Sequence, residues 1–193
     1  MIFEKLLDEL PEKPEFSSFF LTDRNPLSQR RKRRHIYNPN RAMRILHRRF
    51  IKYLRTLNVD LRHATGSVRG GSPKRNVIRH RYHRFFYLTD IHNAYPSVRG
   101  ERLAEILCSL DDRLKEHTEE VLAFLKQFFL SPQGGLLIGA PASPDLFNLY
   151  AACELDEKLH VLCLKHHLTY TRYLDDLTFS SPRNKIGKRK RRE

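Results

Sequence analysis

Residues Tyr170 to Ser181, YTRYLDDLTFSS, set two adjacent carboxylates, Asp175 and Asp176, inside an otherwise β-prone, apolar and aromatic run. The stretch reads as a hairpin with a charged turn. Adjacent aspartates at a hairpin tip repel each other, and neither has an obvious basic partner within the turn, so a divalent cation is the natural compensation. Aspartate is common in turns for its own local hydrogen bonding, so the pair gains weight only with a third acid.

That acid is Asp90. It closes a second β-prone run, Arg84 to Ile91, and is followed by HNAYPSV with an aromatic at Tyr95. Two strands side by side place Asp90 beside the carboxylate turn. Three carboxylates at one edge of a sheet make an oxygen-rich site of the kind that holds Mg²⁺ for phosphoryl transfer.

Charge agrees with a polyanionic partner. Lys and Arg number 36 against 22 Asp and Glu, a net charge of +14 over 193 residues, which favours nucleic acid. The length suits one good core with a small appended lobe, since domains typically run about 100–200 residues. No apolar run approaches the roughly 20 residues of a membrane helix, and acids come early in MIFEKLLDELPEKPEF, unlike a signal peptide. The expectation is a cytoplasmic protein with no membrane partner. The three cysteines, Cys108, Cys153 and Cys163, lack CxxC spacing and read as reduced thiols in a core.

Along the chain, Met1 to about Leu10 reads as a short amphipathic helix ended by Pro11 and Pro14. The basic run from Arg30 to Arg34 reads as a loop or hairpin arm, and its ordinary meaning is a solvated charge cluster. Arg41 to Leu57 carries a helical stripe at Ile45, Leu46, Phe50, Tyr53, Leu54 and Leu57 with a basic opposite face. TGSVRGGSP, Thr65 to Pro73, is the glycine-dense segment. Its glycines permit close approach to phosphate, and Arg69, Lys74 and Arg75 supply charge; a flexible basic surface loop is the commoner explanation of such a segment, and its position upstream of Asp90 is what lifts the phosphate reading. Arg102–Leu110 and Leu114–Leu130 read as helices. A further helix starts at Ser143 and Pro144, a capping hydroxyl before a proline, and runs to about His166 with Leu146, Leu149, Tyr150, Cys153 and Leu155 inward. KIGKRKRRE, from Lys185, reads as a disordered basic tail.

Several of these segments together resemble a bacterial reverse transcriptase. YLDD, Tyr173 to Asp176, is similar to the family's YxDD signature, and DIHNAYPSV, Asp90 to Val98, to its first catalytic-aspartate motif. IGAPASP, Ile138 to Pro144, is similar to the QGxxxSP motif, RRHIYNP, Arg33 to Pro39, to the bacterial fingers motif, and HATGSVRGGSPKRNVIRH to the retron-type stretch ending in NAxxH. Order and spacing agree. Two departures stand out: Ile138 replaces the usual Gln and leans toward the diversity-generating and defence-associated groups, and Val77 replaces the small residue of NAxxH.

The resemblance implies an α+β right-hand polymerase fold, with a central antiparallel sheet carrying Asp90 and the Asp175–Asp176 hairpin and helices packed on one face. It implies a basic fingers region at 1–85, a palm at 86–182 and a basic tail at 183–193. Two Mg²⁺ ions, with Mn²⁺ as a substitute, would be held by Asp90 and Asp175 as bridging ligands, with Asp176 auxiliary and the Ile91 carbonyl on the nucleotide side. Arg34, Arg69, Asn93, Ala94, Tyr95, Gly139 and Ser143 would meet the nucleotide, Tyr95 as the gate that excludes a 2′-hydroxyl. Ser143 also reads as a plain cap. Arg31, Lys32, Arg33, Lys74 and Arg75 would contact nucleic acid. The implied partners are an RNA template, a DNA or RNA primer and deoxynucleoside triphosphates. Seventeen residues follow Asp176, too few for a primer grip and thumb, so a second chain or a structured non-coding RNA is the expected completing part. Two other readings stay open: an incomplete nucleic-acid-binding piece of such an enzyme, and a template-independent nucleotidyltransferase of antiphage defence.

Overall fold

A computed structural model describes residues 10–24 and 31–183 apart from position 12, together with Phe3 and Leu7; side chains of 23–32 lie outside the description. The side chains of Arg31 and Lys32, and the expected tail from Lys185, therefore lie outside it too. The chain forms two compact units, one from 1–58 with 95–146 and the other from 59–94 with 147–193.

In the first unit the β-prone runs FSSFFLTDR and RKRRHIYNP become β1 (Phe16–Arg24) and β2 (Arg31–Pro39), antiparallel in register from Phe16 opposite Pro39 to Arg24 opposite Arg31. The basic run is thus an arm of a hairpin. A lone two-stranded ribbon is marginal in water. This one is anchored at its base, where the Tyr37 N–H donates to the Ile138 carbonyl (2.8 Å) and Phe16 and Tyr37 pack on Leu137 and Ala140.

Helix α1 (Arg41–Leu54) starts where Asn40 accepts from the Met43 N–H (2.9 Å). Its buried stripe is Met43, Leu46, His47, Phe50, Tyr53 and Leu54. Ile45, expected inward, is exposed, and Met43 and His47 take that face because the helix phase is set from Asn40. Helices α2 (Pro73–Ile78, in the second unit), α3 (Gly100–Leu110) and α4 (Thr118–Phe128) follow. The stretch from Leu114 is not helical throughout: Asp112–Leu114 is a 3₁₀ turn, and α4 begins only at Thr118. Phe3, Phe50, Phe124, Phe128 and Phe129 fill the core, with Phe3 stacked on Phe124 at 4.0 Å between centroids. Phe3 and Leu7, the helical residues described near the N-terminus, face inward as an i, i+4 pair.

The second unit holds a three-stranded antiparallel sheet of β3 (Phe85–Asp90), β4 (Thr169–Tyr173) and β5 (Asp176–Ser181), in the order β3-β5-β4. Successive side chains alternate faces. Tyr170, Leu177 and Phe179 therefore share one face, packed on Leu159 and Cys163 of helix α6 (Glu157–Lys165). Thr171, Thr178 and Ser180 share the other, where Asn76 of α2 bonds Thr171 (2.5 Å) and His80 bonds Thr171 (2.7 Å) and Ser180. Helices thus meet both faces of this sheet, which corrects the expectation of one covered face. Polar strand residues such as Thr171 recruit Asn76 and His80, a pairing that apolar periodicity does not signal.

The long helix expected from Ser143 is interrupted. Helix α5 (Ser143–Ala151) passes through a π-helical segment, Ala152–Asp156, into α6. The wider turn shifts the helical phase, so Cys153, expected in the core, is exposed, while Asp156 is buried. Cys108 and Cys163 are the buried thiols.

Burial holds the His47 imidazole neutral, lowering its pKa from 6.5 to about 4. The unfolded chain takes up that proton near 6.5 and the folded chain only near 4, so stability present above 6.5 is lost as pH falls through this window. We expect urea midpoints to fall between pH 6.5 and 4, with a shallower slope in His47→Leu. An unchanged slope in that variant would assign the dependence elsewhere.

Candidate active site

The register of β3 and β5 sets Asp90 directly opposite Asp176, and β4 with β5 sets Tyr173 opposite Asp176. Two residues, Leu174 and Asp175, therefore make the hairpin turn. The Ile91 N–H donates to the Asp175 carbonyl at 2.9 Å, so the chain leaving β3 is bonded to the turn itself. Asp90, Ile91, Asp175 and Asp176 are thus brought together at one end of the sheet.

A tight hairpin turn asks for a positive φ, normally supplied by Gly or Asn. Here Leu174 takes it, at φ +56°. Such backbone persists only where the surroundings hold it. Gly66 does part of this, since a Cβ there would sit 3.1 Å from Leu174 Cγ and 3.2 Å from the Tyr173 ring. The rest comes from Arg172, a residue to which the sequence reading gave no role. Its guanidinium donates to both Asp156 oxygens (2.9 and 2.8 Å), to Asn148 Oδ1 (2.8 Å) and to the Leu174 carbonyl (3.1 Å). The available signal was a lone Arg between aromatic strand residues, which must find an acid if it points inward.

The glycine-dense segment folds on itself. Ser72 caps α2 by accepting from the Arg75 N–H (3.1 Å), and Arg75 donates to the Gly70 carbonyl (3.3 Å). A Cβ at Gly71 would lie 2.4 Å from the Thr65 carbonyl oxygen, so this glycine is required by the loop's own closure. Arg69, Lys74 and Arg75 are exposed beside it. Asn93 adopts φ +50°, a conformation Asn tolerates, next to buried Ala94.

The remaining expected nucleotide contacts belong to the first unit. The Tyr95 carbonyl accepts from the Leu136 N–H at 2.9 Å, tying that residue to the loop that leads into IGAPASP. Gly139, at φ +95°, lies against β2, where a Cβ would come 2.8 Å from Ile36 and 3.0 Å from the Tyr37 carbonyl. Ser143 is buried and its hydroxyl donates to the Leu137 carbonyl (2.6 Å). It holds the 137–143 loop closed, a different bond from the expected helix cap. On the hairpin, Arg33 lays its guanidinium 3.7 Å over the Phe20 ring, and Arg34 is exposed.

No family model matches the chain. Among curated proteins it is 30% identical over 157 residues to the retron Mx65 reverse transcriptase of Myxococcus xanthus, covering 75% of this chain and 36% of that protein. It is 33% identical over 143 residues to the retron Mx162 reverse transcriptase of the same organism, covering 66% and 29% respectively. A third match, the retron Ec73 reverse transcriptase of Escherichia coli, is 30% identical over 122 residues, covering 59% and 38%. The chain is a relative of the bacterial retron reverse transcriptases. It spans about a third of the length of the relatives it matches. Despite Ile138, the likeness to a retron-type reverse transcriptase extends across most of the chain.

Reverse transcriptases of this kind imply a divalent cation, and the donor set can be tested against one. Among the described residues no Lys, Arg or His forms an ion pair with Asp90, Asp175 or Asp176. Burial, then the charges of Asp175 and Asp90, raise the Asp176 carboxyl above the usual carboxylate value. Uncompensated acids of this type fit a hard cation in charge and in ligand chemistry. Among the described residues no three His, Cys, Asp or Glu side chains converge closely enough to hold one ion. The register sets Asp90 and Asp176 opposite each other with Asp175 adjoining, without closing the three on a single ion.

A carboxyl raised in the folded state favours folding below its ordinary value near 3.8 and opposes it as pH rises through the folded value. At neutral pH the ionised Asp176 carboxylate therefore opposes folding. Asp90→Asn and Asp175→Asn should each melt higher than the parent in chelator, and millimolar Mg²⁺ should raise the melting temperature of the parent more than that of either variant. Lower melting in chelator would show that the acids are not in conflict.

Proposed function

We propose that this chain carries the nucleotidyl-transfer chemistry of an RNA-directed DNA polymerase, on the palm and fingers of a right-hand polymerase fold. The observation that carries the reading is the pairing of Asp90 with Asp176 at the end of a sheet whose turn holds Asp175. A pure binding module for a polyanion gains nothing from three acids facing its ligand. The retron reverse transcriptases it matches support the same chemistry.

In that reaction the primer 3′-oxygen forms a bond to the α-phosphorus of a deoxynucleoside triphosphate while the bond to the bridging oxygen breaks and pyrophosphate leaves. Asp90 and Asp175 would hold two Mg²⁺ ions, or Mn²⁺ in their place, with Asp176 beside the primer terminus and the Ile91 carbonyl toward the nucleotide. Such ions, when bound, supply Lewis-acid stabilisation of charge on the attacking and leaving oxygens. The chain's own residues position and exclude. Asn93 and Ala94 would present backbone amides to the triphosphate, Tyr95 would close the space a 2′-hydroxyl needs, and Gly139 and Ser143 would keep their loop against the nascent pair. Arg34 and Arg69 would meet phosphate. Arg31, Lys32, Arg33, Lys74 and Arg75 would track template and primer backbones, a contact that weakens steeply with salt. The partners are an RNA template, a DNA or RNA primer and deoxynucleoside triphosphates.

Primer extension on a defined RNA template tests the reading. Templated product from the parent and none from Asp175→Ala/Asp176→Ala is the expected result. RNA binding by both proteins with extension by neither would favour the binding reading instead. In the same assay Tyr95→Ala should incorporate ribonucleotides at least tenfold more readily relative to deoxynucleotides, and unaltered selectivity would remove Tyr95 from the gate.

A further inference from the structure

We propose that the buried Arg172–Asp156 pair is the positioning element of the carboxylate turn. What the turn does rests on the polymerase reading above; how it is held rests on geometry within the second unit. Arg172 is 0% exposed, and every arm of its guanidinium is engaged by Asp156, Asn148 or the Leu174 carbonyl. Its backbone is equally committed. The Arg172 N–H donates to the His63 carbonyl (2.8 Å), and the Arg172 carbonyl accepts from the Thr65 N–H (2.8 Å) and hydroxyl (3.0 Å).

Asp156 is aimed by two features. It ends the π-helical segment, whose extra residue rotates it into the core, and its Oδ1 also accepts from the Tyr170 hydroxyl at 2.8 Å. Asn148 closes the circuit by donating to the Gly66 carbonyl (2.8 Å), and Gly66 is the residue whose lack of a Cβ leaves room for Leu174. One chain of contacts therefore runs from Asp156 through Arg172 to the strained Leu174 backbone, with Asn148 and Gly66 closing on the same residue. Buried ion pairs are weak contributors to stability, and apolar replacements of similar volume are often neutral or better. A guanidinium that spends one arm on a turn carbonyl fits placement of Asp175 and Asp176 better than it fits stabilisation of the fold.

The test uses Arg172→Met/Asp156→Leu, which removes the fork without leaving either charge alone in the core. Exchange of the Ile91 amide reads turn position, because that N–H donates to the Asp175 carbonyl. Mn²⁺ binding by electron paramagnetic resonance reads the carboxylates without requiring activity. We expect the double variant to melt within a few degrees of the parent, to exchange the Ile91 amide at least tenfold faster, and to bind Mn²⁺ at least tenfold more weakly. Ile91 exchange equal to the parent's in the folded double variant overturns the proposal. Should the double variant fail to fold, Arg172→Lys carries the same test, since an ammonium keeps the charge and loses the fork. If the parent's Mn²⁺ binding is indifferent to Asp175→Asn, the polymerase reading fails, and Ile91 exchange alone decides the positioning role.

Discussion

Three carboxylates that repel one another have to be held at one end of a small sheet, and the second unit is organised around that constraint. The register of β3 on β5 forces Asp90 and Asp176 to face each other. No neighbouring cation among the described residues relieves them. The compensation is mechanical. A hydrogen bond from Ile91 fastens the turn on one side, and a guanidinium fastens it on the other. The mutual repulsion of these acids opposes folding of the sheet end.

The choice of side chains around the turn follows from that load. Leu174 in a left-handed conformation is a poor turn residue by intrinsic preference, yet glycine would leave the turn freer to move. Leucine gives the turn a side chain that can be packed, and Gly66 surrenders its own Cβ to receive it. Arginine at 172 is similarly specific. Lysine could neutralise Asp156, but a point charge on a flexible stem cannot grip a carboxylate, an amide oxygen and a backbone carbonyl at once.

Much of the sheet end was legible because acids inside β-prone runs are costly wherever they fall, so YLDD and the Asp90 segment announced a hairpin and its neighbour. Motif order then supplied the α+β arrangement that periodicity alone could not choose. What stayed hidden was set by tertiary partners. Nothing local in LYAACELDEK signals a π-helical segment, so the outward Cys153 and inward Asp156 follow from a phase shift that a regular 3.6-residue helix does not contain. Arg172 and Asp156 are 16 residues apart and meet only once β4 is placed. Strand β1 was equally unannounced as a partner for β2, although FSSFFLT is β-prone, because pairing is a property of two segments.

The buried polar groups divide by what they contact. In the first unit Asp111 accepts from the Tyr53 hydroxyl (2.8 Å) and from the Arg113 guanidinium (2.7 and 2.9 Å), and Arg113 with burial opposing it draws the carboxyl down to about 2. That network caps a 3₁₀ turn and touches no expected site residue. The network at His80 binds two strands of the three-stranded sheet through Thr171 and Ser180, and burial first, then His83 and Arg79, keep its imidazole neutral so that it can accept as well as donate. Of these three networks, the Arg172 one reaches the turn itself, at the Leu174 carbonyl. Satisfied polar clusters of this sort specify one arrangement among the several that apolar packing would tolerate. Along the sheet they are spaced apart, His80 on Thr171 and Ser180 and Arg172 at the acidic end, where it bonds the Leu174 carbonyl.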